Sequence, residues 1–144
     1  MNLPETPSFS LVGKRALVVG ASSGIGSACA VALAEHGATV TLAARRENKL
    51  VDLKEQMLLK GWSANILKVD ITDLKVTAQT LKNNEAFDIL VNSAGIAKHS
   101  NSEDTSPYDF ETVMETNLRG AYFLTQAVAK GLIAAGKPGS LINI

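Results

Sequence analysis

Arg15-Ala16-Leu17-Val18-Val19-Gly20-Ala21-Ser22-Ser23-Gly24-Ile25-Gly26 joins an apolar, β-branched run to a loop with three glycines. From Gly26 to His36 the apolar residues recur at helical spacing, and Thr39 to Ala43 is a second β-branched run, so the segment is expected to form a strand, a helix and a second strand. Gly37 stands just past that helix, where a left-handed cap is wanted, and His36 in the last turn faces the carbonyl end of the dipole. We therefore take His36 as structural.

Outward from this unit the alternation continues. The patterns predict a helix over Glu47 to Lys60, a strand over Ala64 to Val69, a short helix over Asp73 to Asn83 and a strand over Ile89 to Asn92. An irregular stretch around Lys98 to Ser102 precedes helices at Pro107 to Glu115 and Leu118 to Ala135, and Leu141 to Ile144 is a last strand. Ala16-Leu17-Val18-Val19 and Asp88-Ile89-Leu90-Val91 are apolar almost throughout, as strands buried on both faces must be. The expected fold is α/β: a doubly wound Rossmann arrangement, a parallel sheet with helices on both faces. Residues 11–144 are expected to form this one domain behind a polar leader, residues 1–10, that frays.

Bulk properties agree. A chain of 144 residues buries roughly 70% of its unfolded surface, and 46% hydrophobic with 19% charged residues is an ordinary globular composition. Fourteen basic and fourteen acidic side chains cancel, so the field that attracts nucleic-acid backbones is missing. The N-terminus has no basic start followed by an apolar run, and no stretch approaches the ~18 apolar residues of a membrane span; we expect a cytoplasmic protein with no membrane partner. Cys29 is the only cysteine, which excludes an intrachain disulfide or a cysteine-based metal site. It is expected to be a small buried apolar residue. No metal site is expected.

The spacing of the loop glycines points to a bound pyrophosphate. Gly20 lets the strand turn, Gly24 lets backbone approach the phosphates and Gly26 lets the helix pack closely, while the N–H groups around Ser22, Ser23 and Ile25 face the ligand. A P-loop is excluded because no Gly-Lys-Ser/Thr follows. At the end of the second strand, where an acidic residue would hold a ribose 2′-hydroxyl, the sequence is Ala43-Ala44-Arg45-Arg46. Arg45 is placed to grip a 2′-phosphate, each charge-assisted hydrogen bond being worth about 1.5–3 kcal/mol before desolvation. The cofactor is therefore expected to be NADP(H). Either arginine could instead be merely solvated, Arg46 more readily because helix N-termini disfavour positive charge.

Val19 to Gly26 resembles the T-G-x-x-x-G-x-G fingerprint of the short-chain dehydrogenase/reductase family, with Val19 in place of the threonine whose hydroxyl ties the loop to a neighbouring strand. The resemblance extends from Leu11 to Ile144. It implies that Asp70 receives the adenine amino group and Ile71 flanks the ring; read alone, Asp70 could cap the helix that follows. Asn92-Ser93-Ala94-Gly95 resembles the family's N-N-A-G motif, which stabilises the sheet and leaves small residues beside the ribose, Ser93 being the departure. The helix at Asp73 to Asn83 is about one turn shorter than is usual in the family.

Asn117 matches the asparagine of the family's Asn-Ser-Tyr-Lys tetrad, whose backbone carbonyl, held by a local helix distortion, binds a water in a proton relay. Without the resemblance it would be read as a cap or a solvated residue. The family's serine polarises the carbonyl, its tyrosine is the general acid/base and its lysine grips the nicotinamide ribose. These lie past the strand at Leu141 to Ile144; Thr112 and Gln126 follow four residues after Tyr108 and Tyr122, so neither makes Tyr-x-x-x-Lys. The resemblance implies that the sheet is truncated after its fifth strand, with that strand an exposed edge, and that the natural chain continues by roughly a hundred residues. It also implies homodimers or homotetramers, with Leu118 to Ala135 in the interface. The function expected of the full-length protein is NADP(H)-dependent interconversion of a small-molecule carbonyl and an alcohol by hydride transfer, with this segment inactive by itself. A non-catalytic NADP(H)-binding fragment or sensor is the alternative. An S-adenosylmethionine methyltransferase would want an acidic residue near Ala44, and His99, on a loop at the ligand side of the sheet, is read as exposed before it is read as a substrate contact.

Overall fold

A computed structural model describes residues 7–144. Five strands, β1 (Arg15–Val19), β2 (Thr39–Ala44), β3 (Ala64–Lys68), β4 (Ile89–Asn92) and β5 (Ser140–Asn143), form one sheet in the order β3-β2-β1-β4-β5. All pairings are parallel. Helices α1 (Gly24–Glu35), α2 (Glu47–Leu59), α3 (Leu74–Lys82), α4 (Pro107–Met114) and α5 (Ala121–Ala135) occupy the crossovers. The chain runs from β1 through β2 to β3 on one side, then returns to lay β4 and β5 on the other, so the strand order reverses between β1 and β4. A crevice at the carboxyl ends of the strands is the geometric consequence of that reversal.

Both faces of β1 are buried, as its uninterrupted apolar sequence predicts. Ala16 and Val18 join Val40, Leu42, Ala30, Ala34, Leu50 and Met57 on the face covered by α1 and α2. Leu17 and Val19 join Ala43 and Leu90 on the face where Leu81 of α3 and Leu124, Val128 and Leu132 of α5 pack. The last three are four residues apart, one stripe of a helix, and burying each contributes about 1.5–3 kcal/mol.

Several boundaries move for identifiable reasons. Helix α1 begins two residues before its expected start because Gly24, at φ +57°, makes the turn itself and Ser27 N already donates to Ser23 O at 3.4 Å. Asp73 and Asn83 prove to be the caps of α3 rather than its ends, the Asp73 carboxylate accepting from Val76 N. β3 stops at Lys68 and β5 starts at Ser140, which pairs with Ile89. The two helices expected at Pro107 to Glu115 and Leu118 to Ala135 are joined without a break by a π-helical turn over Glu115–Gly120. Gly120 permits this: a Cβ there would lie 2.9 Å from the Ile71 carbonyl oxygen.

His36 and Gly37 close α1 as expected, with His36 Nδ1 2.8 Å from Ala32 O and Gly37 at φ +98°. Cys29 is half-buried rather than buried, because the covered stripe of α1 runs through Gly26, Ala30 and Ala34 and Cys29 falls on its flank. Residues 7–10 are exposed and irregular; the rest of the expected leader, residues 1–6, lies outside the described residues. β5 is an edge strand, with Ile142 48% exposed.

Two glycines at the α5 end of the fold test this packing in opposite directions. A Cβ at Gly139 would collide with the Leu132 side chain and lie 2.9 Å from Asp88 O, whereas one at Gly131, inside α5, meets nothing within 4 Å. Thermal or urea unfolding of the full-length protein is expected to show Gly139→Ala destabilised by about 1–3 kcal/mol through overpacking. Gly131→Ala is expected to gain about 0.5–1 kcal/mol through helix propensity.

Candidate cofactor-binding site

At the end of β1 the chain is held by backbone. Gly20 N and Ala21 N donate to Ala43 O at 2.9 and 3.2 Å, and Ser93 N donates to Val19 O at 2.8 Å. The tie between the loop and the neighbouring strands, for which the family uses a threonine hydroxyl, is thus made here by amides, and Val19 is free to bury in the core. Gly20 is required twice over, by φ +82° and by the Ser93 backbone, which would lie 2.6 Å from a Cβ. Gly26 packs against the Gly20 carbonyl rather than on the sheet, so the first turn of α1 rests directly on the loop. Gly24 faces open space.

Ser23 precedes α1 in extended conformation and provides no side-chain cap, and no acidic residue occupies the first turn. The first N–H groups of this 12-residue helix therefore keep their capacity to bind an anion, and the dipole favours one.

A cleft of about 290 Å³ opens at this point, across the carboxyl ends of β1, β2, β3 and β4. Gly20, Ser22, Ser23 and Ile25 form one wall; Arg45 and Arg46 stand beside them, Asp70 and Ile71 follow, and Ala94 and Gly95 line the side toward β4. Ten of the expected site residues thus meet around a single opening. Four do not line it. Gly24 and Gly26 shape the loop, Asn92 is buried beneath the wall at 2% exposure, and Asn117 holds the wall from behind. Val19, Ala44, Val69, Ser93, Ile96 and Thr116 line the cleft as well. Val19, Ala44 and Ser93 belong to the motifs read from the sequence; Val69, Ile96 and Thr116, neighbours of Asp70, Gly95 and Asn117, were not singled out there.

The two arginines differ. Arg46 sits at the N-cap of α2, an unfavourable place for a cation, and its guanidinium reaches back to donate to Ser22 Oγ at 2.9 Å and Ser23 Oγ at 3.4 Å. Arg45, also exposed, makes no hydrogen bond or ion pair among the described residues. Sequence position favoured Arg45 over Arg46, yet Arg46 is the one already docked on the glycine loop. Asp70 is not a helix cap: its Oδ1 accepts from Thr72 N at 3.0 Å and Thr72 Oγ1 at 2.8 Å, while Asp73 caps α3. This leaves Asp70 Oδ2 without a partner among the described residues.

Asn117 lies in the π-helical turn and grips Ile96 at two points, Oδ1 accepting from Ile96 N and Nδ2 donating to Ile96 O, both at 2.8 Å. Asn117 is therefore not a helix cap, and though exposed its side chain is held by backbone. His99 is exposed and lies outside the cleft. Among the described residues no group of three or more His, Cys, Asp or Glu could hold a metal ion, and no helix is long and apolar enough to cross a membrane.

Known proteins share both sequence and fold. Gluconate 5-dehydrogenase of Gluconobacter oxydans (strain 621H) is 37% identical over 140 residues, covering 94% of this chain and 54% of that protein. L-xylulose reductase of Mus musculus is 36% identical over 136 residues, with 94% and 54% covered. The crystal structure of a gluconate 5-dehydrogenase from Burkholderia cenocepacia J2315, in complex with NADP and tartrate, superimposes with a TM-score of 0.87 at 35% identity over 94% of this chain and 54% of that one. The chain thus spans about half the length of the curated relatives it matches. Residues 14–144 match the family described as short chain dehydrogenase, and with the parallel sheet, the glycine loop and the cleft in place, the chain belongs to that family.

Proposed function

We propose that this chain is the NADP(H)-binding part of an oxidoreductase which, at full length, interconverts a small-molecule carbonyl and an alcohol. The observation that carries the reading is the cleft wall. An uncapped helix N-terminus and two arginines face one opening, and Ala44 stands where a ribose-binding carboxylate would otherwise be. The donor set suits NADP(H). Amides at the start of α1 hold the pyrophosphate, and the open space at Gly24 admits it. Arg46, already bridged to Ser22, and Arg45 beside it hold the 2′-phosphate. Asp70 Oδ2 receives the adenine amino group against Ile71, and Ala94 and Gly95 leave room for ribose.

The cofactor, when bound, supplies or accepts the hydride. The chain's own residues bind and orient it: Asn117 fixes the Ile96 end of the wall, and its place in the π-helical turn suits its backbone carbonyl to a proton relay with residues further along the full-length chain. We place the enzyme in the cytoplasm and take it to be a homodimer or homotetramer; the assembly alone is supported by the apolar side chains that α5 leaves outward, Ile133 at 78% exposure among them.

Titration of the full-length protein with NADPH and NADH, followed by nicotinamide fluorescence, tests the reading. Substituting both Arg45 and Arg46 by Ala is expected to weaken NADPH binding about 10- to 100-fold, from the loss of one to two charge-assisted hydrogen bonds, and to leave NADH nearly unchanged. Equal weakening of both cofactors would remove the 2′-phosphate assignment. Gly24→Ala adds a methyl group at φ +57° where the pyrophosphate approaches. It is expected to weaken NADPH and NADH alike, by roughly tenfold, since left-handed strain of about 1–2 kcal/mol falls on the shared phosphate cradle.

A further inference from the structure

Asn92 is almost fully buried, so both ends of its amide need partners. Its Oδ1 accepts from Ala94 N at 3.2 Å, and its Nδ2 donates to Asn143 Oδ1 on the edge strand β5 at 3.0 Å. Asn143 Oδ1 and Asn143 Nδ2 in turn both stand 3.3 Å from Thr125 Oγ1 on α5. A hydroxyl has one hydrogen, and Thr125 commits its own to the Ala121 carbonyl at 2.8 Å. Thr125 Oγ1 is thus left to accept from Asn143 Nδ2; the Ala94 N–H, which can only donate, turns Asn92 Oδ1 toward itself and so Asn92 Nδ2 toward Asn143 Oδ1. Flipping Asn92 would set donor against donor and acceptor against acceptor, and flipping Asn143 would set its amide nitrogen against that of Asn92. The Ala94 N–H fixes the direction of the chain of bonds, and Thr125 closes its far end on α5.

We infer that Thr125 and Asn143 are positioning residues for the cofactor, holding the Ala94–Gly95–Ile96 wall of the cleft through Asn92. The wall's other end is gripped by Asn117, which lies eight positions before Thr125 on the same continuous helical stretch. Both anchors of the wall thus trace back to one helix, and displacing α5 displaces both. The inference rests on the reading of the cleft as an NADP(H) site for its effect on binding, though not for its effect on the wall.

The test uses three variants of the full-length protein. Thr125→Val keeps the shape and removes the hydroxyl, Thr125→Ser restores the hydroxyl, and Asn143→Asp keeps the acceptor toward Asn92 while losing the donor. NADPH affinity is read by fluorescence titration, and order in the wall by hydrogen exchange over residues 93–97, whose Ala94 and Ile96 amides are each protected by a side chain. Thr125→Val and Asn143→Asp are expected to weaken NADPH roughly 5- to 30-fold and to speed exchange in that segment, with Thr125→Ser close to the parent protein. A lowered Tm in Thr125→Val with unchanged NADPH affinity and unchanged exchange would show a merely structural role and overturn the inference. If the parent protein binds no NADPH, the functional reading falls, and exchange over residues 93–97 decides the positioning role by itself.

Discussion

Everything at the ligand end of this fold depends on backbone meeting backbone with no side chain between. At the end of β1 the Gly20 Cα faces the Ser93 and Ala94 peptide, and the Gly20 carbonyl faces Gly26 at the start of α1. Three segments distant in sequence or direction are pressed into one layer. A methyl group at either glycine would separate the helix from the loop or the loop from β4, and the helix N-terminus would no longer point into the crevice. The parallel sheet supplies the reversal of strand order; these two contacts turn that reversal into the site proposed for phosphate.

The price of such close packing is that the loop has few side chains with which to secure itself. Amide bonds take over: Gly20 and Ala21 on Ala43, Ser93 on Val19. This explains why valine is tolerated at position 19. The side chain is buried among Leu17, Ala43 and Leu90, where a hydroxyl would need its own partner, and the attachment that a hydroxyl could provide already exists in the ladder of β1 and β4.

How legible this was in the sequence varied with the kind of interaction. The strands were plain because β1 and β4, buried on both faces, have almost no polar residues, and His36 and Gly37 at the end of α1 obey local rules. Ten residues of the cleft were identifiable since they fall at fixed offsets from strand ends. The π-helical turn was legible only through the family resemblance, which implies a helix distortion at Asn117; local pattern could not give it, because the turn depends on a carbonyl of Ile71, some fifty positions away, seated against Gly120. Nor could spacing reveal which arginine docks. The choice rests on the reach from the α2 N-cap to Ser22, a distance across the crevice rather than along the chain. Ile96 escaped for a similar reason, its importance lying in what Asn117 does to its backbone.

That clamp gives the π-helical turn its physical sense. An i→i+5 turn is a rare form, tolerated where surrounding structure over-determines it. Here the surroundings do so from two sides: Gly120 lies against Ile71, next to the carboxylate of Asp70, and Asn117 forms two bonds to Ile96. The turn therefore touches the β3 side of the cleft and the β4 side at once. With an ordinary α-helical turn the extra residue would be lost, and Gly120 and Asn117 would rotate by about 100° relative to each other, so the two contacts could not both be made. The distortion joins the two ends of the cleft through a single rigid helix, and the same helix carries Thr125 toward Asn143 and the wall at Ala94.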